Sequence, residues 1–290
     1  MKDMKKVRSN SIERLLRFPI TWMLLGAIAI ILVQGLFLVL TERVEGAGYL
    51  LLTLLMGLLA ILVYKLIMKY VARRPIPELS GQHAGMEAVR GVITGAIFIA
   101  VSTLIIVLLG GYSFQWAAAA DPGSLLMTSM GTALSAAVVE ELVFRGLMLQ
   151  AIQKLGGKWI ALAITSLTFG AFHLGNPGAT RWSALAISLE AGVLLGAAFL
   201  WRRNLWFAMG LHFAWNALEG ALGIPVSGLP SAGLFTVKVN GAAWLTGGDF
   251  GLEGSIVTVT LGLVIAISML IGAARKRSSS DEFPARVSSK

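Results

Sequence analysis

The 290-residue chain is 56% hydrophobic and 13% charged, with a mean hydropathy of +0.78; a soluble domain carries about a quarter charged residues, so a globule solvated by water alone is excluded. Its net charge of +9 would suit a nucleic-acid binder if the basic residues lined a water-facing surface, but they flank apolar runs instead, and no nucleic-acid partner is expected. Cysteine is absent, which removes disulfides, thiolate metal sites and cysteine nucleophiles.

Crossing the roughly 30 Å hydrocarbon core takes about 20 apolar residues in a helix, and eight runs meet that need. A basic arm, residues 1–18, carries Lys2, Lys5, Lys6, Arg8, Arg14 and Arg17 ahead of the first run, 19–41. That run is long for a signal peptide and lacks a small-residue cleavage site, so it is read as a retained span. The next runs are 48–68, 91–110, 124–155 and 158–175, the last two joined at Gly156-Gly157. Then come 182–201, 204–223 and 255–274. Between the last two, residues 225–254 hold Pro225, Pro230 and many glycines. An alternating Phe235-Thr-Val-Lys-Val239 stretch there predicts a small hairpin. The Ser-rich tail, 275–290, is expected to be disordered.

This pattern predicts an all-α, polytopic transmembrane bundle, 19–274, of about eight spans. Charge supports the count. With both termini on the inner side, 21 of the 24 Lys and Arg fall on that side, leaving only Arg43, Arg181 and Lys238 outside. Basic residues collect in the cytoplasm, so both termini are placed there. The expected location is the plasma membrane of a bacterium or archaeon.

Ionisable groups inside spans cost at least about 2.5–3.5 kcal/mol each and are functional candidates by default. Four places stand out: Glu140, Glu141 and Arg145 in the fourth span, Phe169 to His173 in the fifth, Glu190 in the sixth, and His212 with Asn216 in the seventh. Residues four apart share a helix face, so Glu141 can pair with Arg145, and His212 projects with Asn216. Glu140 is turned about 100° from Glu141, so the two carboxylates need not serve one partner. Glu140 lies 16 residues before Gly156 and His173 16 after Gly157. At 1.5 Å per residue both stand about 24 Å from the turn and can face each other. Glu190 reads as structural, and Ser188, Gly192 and Gly196 read as a stripe for close helix packing.

In this order on successive membrane helices, Glu140-Glu141-xxx-Arg145, Phe169-xxx-His173 and His212-xxx-Asn216 resemble the CPBP family, which unites type II CAAX prenyl proteases with bacteriocin-processing and immunity proteins. The resemblance covers roughly residues 85–273, including the Gly-rich stretch 246–254. It implies an intramembrane endopeptidase in which Glu140 activates a water, assisted by His173, while His212 and Asn216 stabilise the oxyanion. Glu141 belongs to the same catalytic group. Arg145 would hold Glu141, and Phe169 would support the site. The implied substrate is a membrane-associated peptide or protein, with or without a lipid anchor, and no cofactor is required. Two alternatives stay open. One is a metal-dependent protease that uses the same Glu and His residues as ligands; the other is a noncatalytic immunity or binding protein.

Overall fold

Apolar runs without a polar face need a solvent that accepts apolar surface on every side, and the helices they form here expose that surface freely. The computed structural model describes residues 13–118 and 121–281, with side chains as far as residue 275. Helix α1 (Pro19–Thr41) turns Leu24, Ile28, Leu32 and Leu36 outward, each at least half exposed. Helix α2 (Gly46–Leu66) continues through a π-helical turn, Ile67–Val71, and α3 spans Ala84–Leu108. Among the described residues, five helical stretches can cross a membrane by length and composition: Pro19–Thr41, Gly46–Val71, Ala84–Leu108, Arg181–Arg202 and Ile256–Arg275. Helices make up 79% of the described residues, so the class is an all-α membrane bundle.

The remaining predicted spans, 124–155, 158–175 and 204–223, are helices too, and they carry Glu140, Glu141, Arg145, His173 and His212. Helix α4 (Pro122–Glu140) is capped by Asp121, which accepts from Ser124 N at 2.9 Å. It runs through a π-helical segment, Glu141–Leu149, into α5 (Gln150–Phe172). Gly157, at φ 81° and ψ 173°, breaks α5 and makes the expected helical hairpin. Helix α6 (Arg181–Ile187) passes through a second π-helical segment, Ser188–Gly192, into α7 (Val193–Arg202). Helix α8 (Leu205–Leu222) starts at Asn204, whose side chain accepts from Phe207 N at 3.0 Å.

Small residues set how closely these helices approach. A Cβ on Gly91 would strike Phe207 O and one on Gly95 would strike Leu211 O, so α3 and α8 run in the same direction with their backbones nearly touching. Between α5 and the α6–α7 strand of helix the order is reversed: Gly170 meets Ser188, Gly192 meets Ser166, and Gly196 meets Leu162. The predicted packing stripe is therefore used as expected.

Two local expectations are corrected. Phe235–Val239 is a strand (β2), but it does not fold back within its own loop; it pairs antiparallel with β1 (Tyr112–Trp116), from Tyr112 opposite Val239 to Trp116 opposite Phe235. Aromatic stacking selects that partner, with Phe235 edge-on to Trp116 at 5.4 Å and to Phe114 at 6.1 Å. After the short helix α9 (Ala243–Thr246), the last helix, α10 (Ile256–Asp281), outruns the predicted span. The first residues of the predicted tail are thus helical, and the rest of it, 282–290, lies outside the described residues. So do residues 1–12 of the basic arm and both termini.

A buried polar knot braces the π-helical segment that follows Glu140. The Tyr64 hydroxyl lies 2.5 Å from Glu78 Oε1 and 3.0 Å from Gly146 O, inside that segment. Arg74 Nη2 donates to Glu78 Oε1 at 2.6 Å and to the Tyr64 oxygen at 3.1 Å. Gln150 Nε2 donates to Gly146 O at 2.9 Å. A π-helical turn disturbs the regular backbone ladder, and here Tyr64 from α2 and Gln150 from α5 donate to a carbonyl inside it.

Candidate active site

Glu141 is the first residue of the π-helical segment, and its carboxylate is gripped twice. Arg145 Nη1, one turn later, donates to Glu141 Oε1 at 2.9 Å, with the two side chains 2% and 0% exposed. His212 Nδ1, from α8, lies 3.0 Å from the same oxygen. A carboxylate only accepts, so Nδ1 carries the proton and donates it. Arg145 also donates through Nη2 to Ala191 O at 3.0 Å and to Gly192 O at 3.3 Å, and its guanidinium lies 4.8 Å from the Phe169 ring centre. One buried arginine thereby ties together α5 and the two π-helical segments, and its charge is matched within the protein as burial demands.

Glu140 is in a different state. Its Oε2 accepts no hydrogen bond and stands 3.9 Å from His212 Nε2, too far for a direct one. The side chain keeps 19% of its surface exposed. The turn of about 100° between adjacent helical residues therefore separates the carboxylates by role: one is bonded into the scaffold and the other is open.

His173 sits at the end of its helix, not inside it. Helix α5 stops at Phe172, and His173 opens a 3-10 turn, 173–175. Its Nδ1 is 2.7 Å from Phe169 O. A carbonyl also only accepts, so Nδ1 again holds the proton and Nε2 is left with a lone pair. The Phe169 ring lies 4.7 Å from the His173 ring and 6.4 Å from that of His212, standing between the two imidazoles. Among the described residues no hydrogen bond or ion pair joins Glu140 to His173; the nearer imidazole to Glu140 is that of His212. Asn216, one turn beyond His212, is buried, and its Oδ1 has no hydrogen-bond partner.

Two acidic residues escaped the sequence reading. Glu253, in the 252–254 turn, accepts from Ser227 N at 2.5 Å and from Ser227 Oγ at 3.0 Å. Ser227 itself is held at φ 50°, a left-handed conformation unusual for serine, and its carbonyl accepts from Asn176 Nδ2 at 2.6 Å. The turn after His173 is thus stitched to Glu253, which lies within electrostatic range of His212 and Glu140. Burial pushes the Glu253 carboxyl up to about 7, against the lowering effect of its Ser227 donors. Glu219 is fully buried on α8. As an acid inside an apolar run it carries the same sequence signal as Glu140. Glu190 is fully buried opposite Gly262 of α10, with no hydrogen bond to either oxygen. Among the described residues no three His, Asp or Glu side chains are grouped to hold one metal ion.

A membrane-embedded helical bundle that fixes one glutamate with arginine and histidine, and leaves a second glutamate open beside the same imidazole, has the acid and base groups of an intramembrane hydrolase. Residues 122–218 match the family model described as Type II CAAX prenyl endopeptidase Rce1-like. That third of the chain contains Glu140, Glu141, Arg145, Phe169, His173, His212 and Asn216, so the resemblance to the CPBP intramembrane proteases is borne out for the segment that holds the site. The matched family is one of peptidases, which supports an intramembrane protease at the family level. No curated protein and no solved structure matches the chain.

Proposed function

We propose that the chain hydrolyses a peptide bond of a membrane-associated substrate with a water that Glu140 deprotonates. The observation that carries this reading is the contrast between the two glutamates: Glu141 is bonded to Arg145 and His212, whereas Glu140 Oε2 accepts nothing and lies 3.9 Å from His212 Nε2. A carboxylate bonded to a guanidinium is a weak base, and an open one within reach of water can take its proton.

The roles follow from the donors and acceptors. The water oxygen attacks the carbonyl carbon, its proton passes to Glu140, and the carbonyl electron pair moves onto oxygen. That oxyanion is received by His212 and by the amide of Asn216. Because His212 Nδ1–H is committed to Glu141, Nε2 can donate only from the imidazolium form. A carbonyl oxygen held there brings its carbon close to a water on Glu140. His173, whose Nε2 keeps a lone pair, assists as an acceptor for the same water. When the C–N bond breaks, the proton on Glu140 passes to the leaving nitrogen, giving a new amine and a new carboxylic acid. No metal is needed in this scheme. The substrate is a peptide or protein at the membrane, with or without a lipid anchor.

The test compares peptides in membranes of cells that make the intact chain with those from cells that make Glu140→Gln. Cleavage products should be present with the first and absent with the second. Equal products in both would remove Glu140 as the base, and no products with either would favour a noncatalytic binding or immunity role. Once a substrate is found, turnover should persist after exhaustive chelation; loss on chelation with recovery on adding zinc would turn these residues into ligands.

A further inference from the structure

One corner of the bundle, away from the glutamates, gathers unspent positive charge beside an apolar track. Glu87, in the first turn of α3, is buried, and its carboxylate receives Arg90 Nη1 at 2.7 Å, Arg202 Nε at 2.7 Å, Arg202 Nη2, and Asn204 Nδ2 at 3.2 Å. Two guanidiniums on one carboxylate leave a net positive charge. Among the described residues Arg90 Nε and Nη2 and Arg202 Nη1 have no protein acceptor. Arg90 is also 54% exposed.

These arginines border a cavity of about 320 Å³ lined by Arg90, Ile93, Thr94, Trp201, Arg202 and Phe207. Its wall is apolar and aromatic, with Trp201 edge-on to Phe207 at 5.8 Å and the Arg202 guanidinium 5.1 Å from the Trp201 ring. Above the cavity, Ile93, Ile97, Val101 and Leu104 form an exposed stripe along one face of α3. Eleven residues at 1.5 Å each make a track of roughly 16 Å. A cationic pocket at one end of a lipid-facing stripe has the layout of a phosphate head and an acyl tail, and tryptophan is favoured at that level of a membrane.

We infer that this corner binds one anionic phospholipid, its phosphate on Arg90 and Arg202 and an acyl chain along Ile93, Ile97, Val101 and Leu104. The net charge selects an anionic headgroup over a zwitterionic one, because a choline group would face the same arginines. Nothing in the site depends on the proposed hydrolysis, so the two can fail separately.

The test uses the full chain, purified and delipidated in detergent, titrated with phosphatidylglycerol or phosphatidylcholine and read by native mass spectrometry. The wild type should retain one phosphatidylglycerol in preference to phosphatidylcholine. Arg90→Gln should weaken that retention about fivefold, the factor expected of one interfacial charge, and its exposure makes the variant safe for folding. Glu87→Gln removes the competing carboxylate and should strengthen retention; if that variant fails to accumulate, Arg90→Gln decides alone. Glycerol 3-phosphate, which has the phosphate without the tails, should not compete at equal concentration. Equal retention of the two lipids, an unchanged Arg90→Gln, or full competition by glycerol 3-phosphate would each overturn the site.

Discussion

At the scale of the residue, the centre is governed by which acid has a partner. Glu141 and Arg145 balance each other's charge where both side chains are buried, so removing one strands the other. Arg145→Ala should cost about 3–5 kcal/mol of stability and lower the amount of folded protein in membranes, measured by thermal unfolding in detergent. Replacing both, Glu141→Gln with Arg145→Met, should recover much of that stability without activity, since His212 then loses the carboxylate that orients it. Glu140→Gln behaves oppositely. Its carboxylate bonds to nothing, so folding should be unchanged while the hydrolytic rate falls at least about 10²-fold, as loss of a general base entails.

At the scale of the element, the π-helical segment after Glu140 is stable because its neighbours complete it. Tyr64→Phe removes the hydroxyl beside Gly146 O and Glu78 and should cost about 1.5–3 kcal/mol, the range for a hydrogen bond to a charged group, since Gln150 and Arg74 still pair the carbonyl and the carboxylate. Burial alone would raise the Glu78 carboxyl, but the Arg74 guanidinium, with the Tyr64 hydroxyl, holds it below the ordinary carboxylate value. A folded-state value below the unfolded one gives stability that is present above the unfolded value and is lost as the pH falls through the folded one. Glu78→Gln should therefore flatten the acid side of the stability profile. Close helix contact is equally exacting: Gly91→Leu would drive a side chain into the α8 backbone at Phe207. Overpacking of this kind costs typically 1–3 kcal/mol, and near an unyielding backbone the upper end is expected, read as a drop in thermal midpoint.

At the scale of the molecule, the span count and orientation rest on charge asymmetry and are open to a direct test. Reporter fusions after Arg74, Lys158, Arg203 and Lys276 should report cytoplasm, and those after Gly46, Pro122, Pro177 and Asn240 should report the outside. The Gly46, Pro122 and Asn240 arms bear on the end of the bundle where β1 and β2 pair; a cytoplasmic signal at Asn240 would break the eight-span scheme. On that scheme the Arg90–Arg202 corner would lie at the inner leaflet.

Much of this protein was legible in its residue order because the governing forces are local. A run of apolar residues declares a membrane helix wherever it packs. The spacing of Glu141 and Arg145 declares a shared face, and the cost of charge in lipid marks Glu140, His173 and His212. Tertiary structure alone decided that His212 joins Arg145 on Glu141 and that Glu140 Oε2 stays open beside it, because His212 comes to Glu141 from 71 residues away. It also decided that β2 pairs with β1 and that Glu253 reaches back to Ser227. Each of these joins groups with no common helical or strand period, so the contacts arise only once the bundle has packed and buried polar groups have taken the partners left to them.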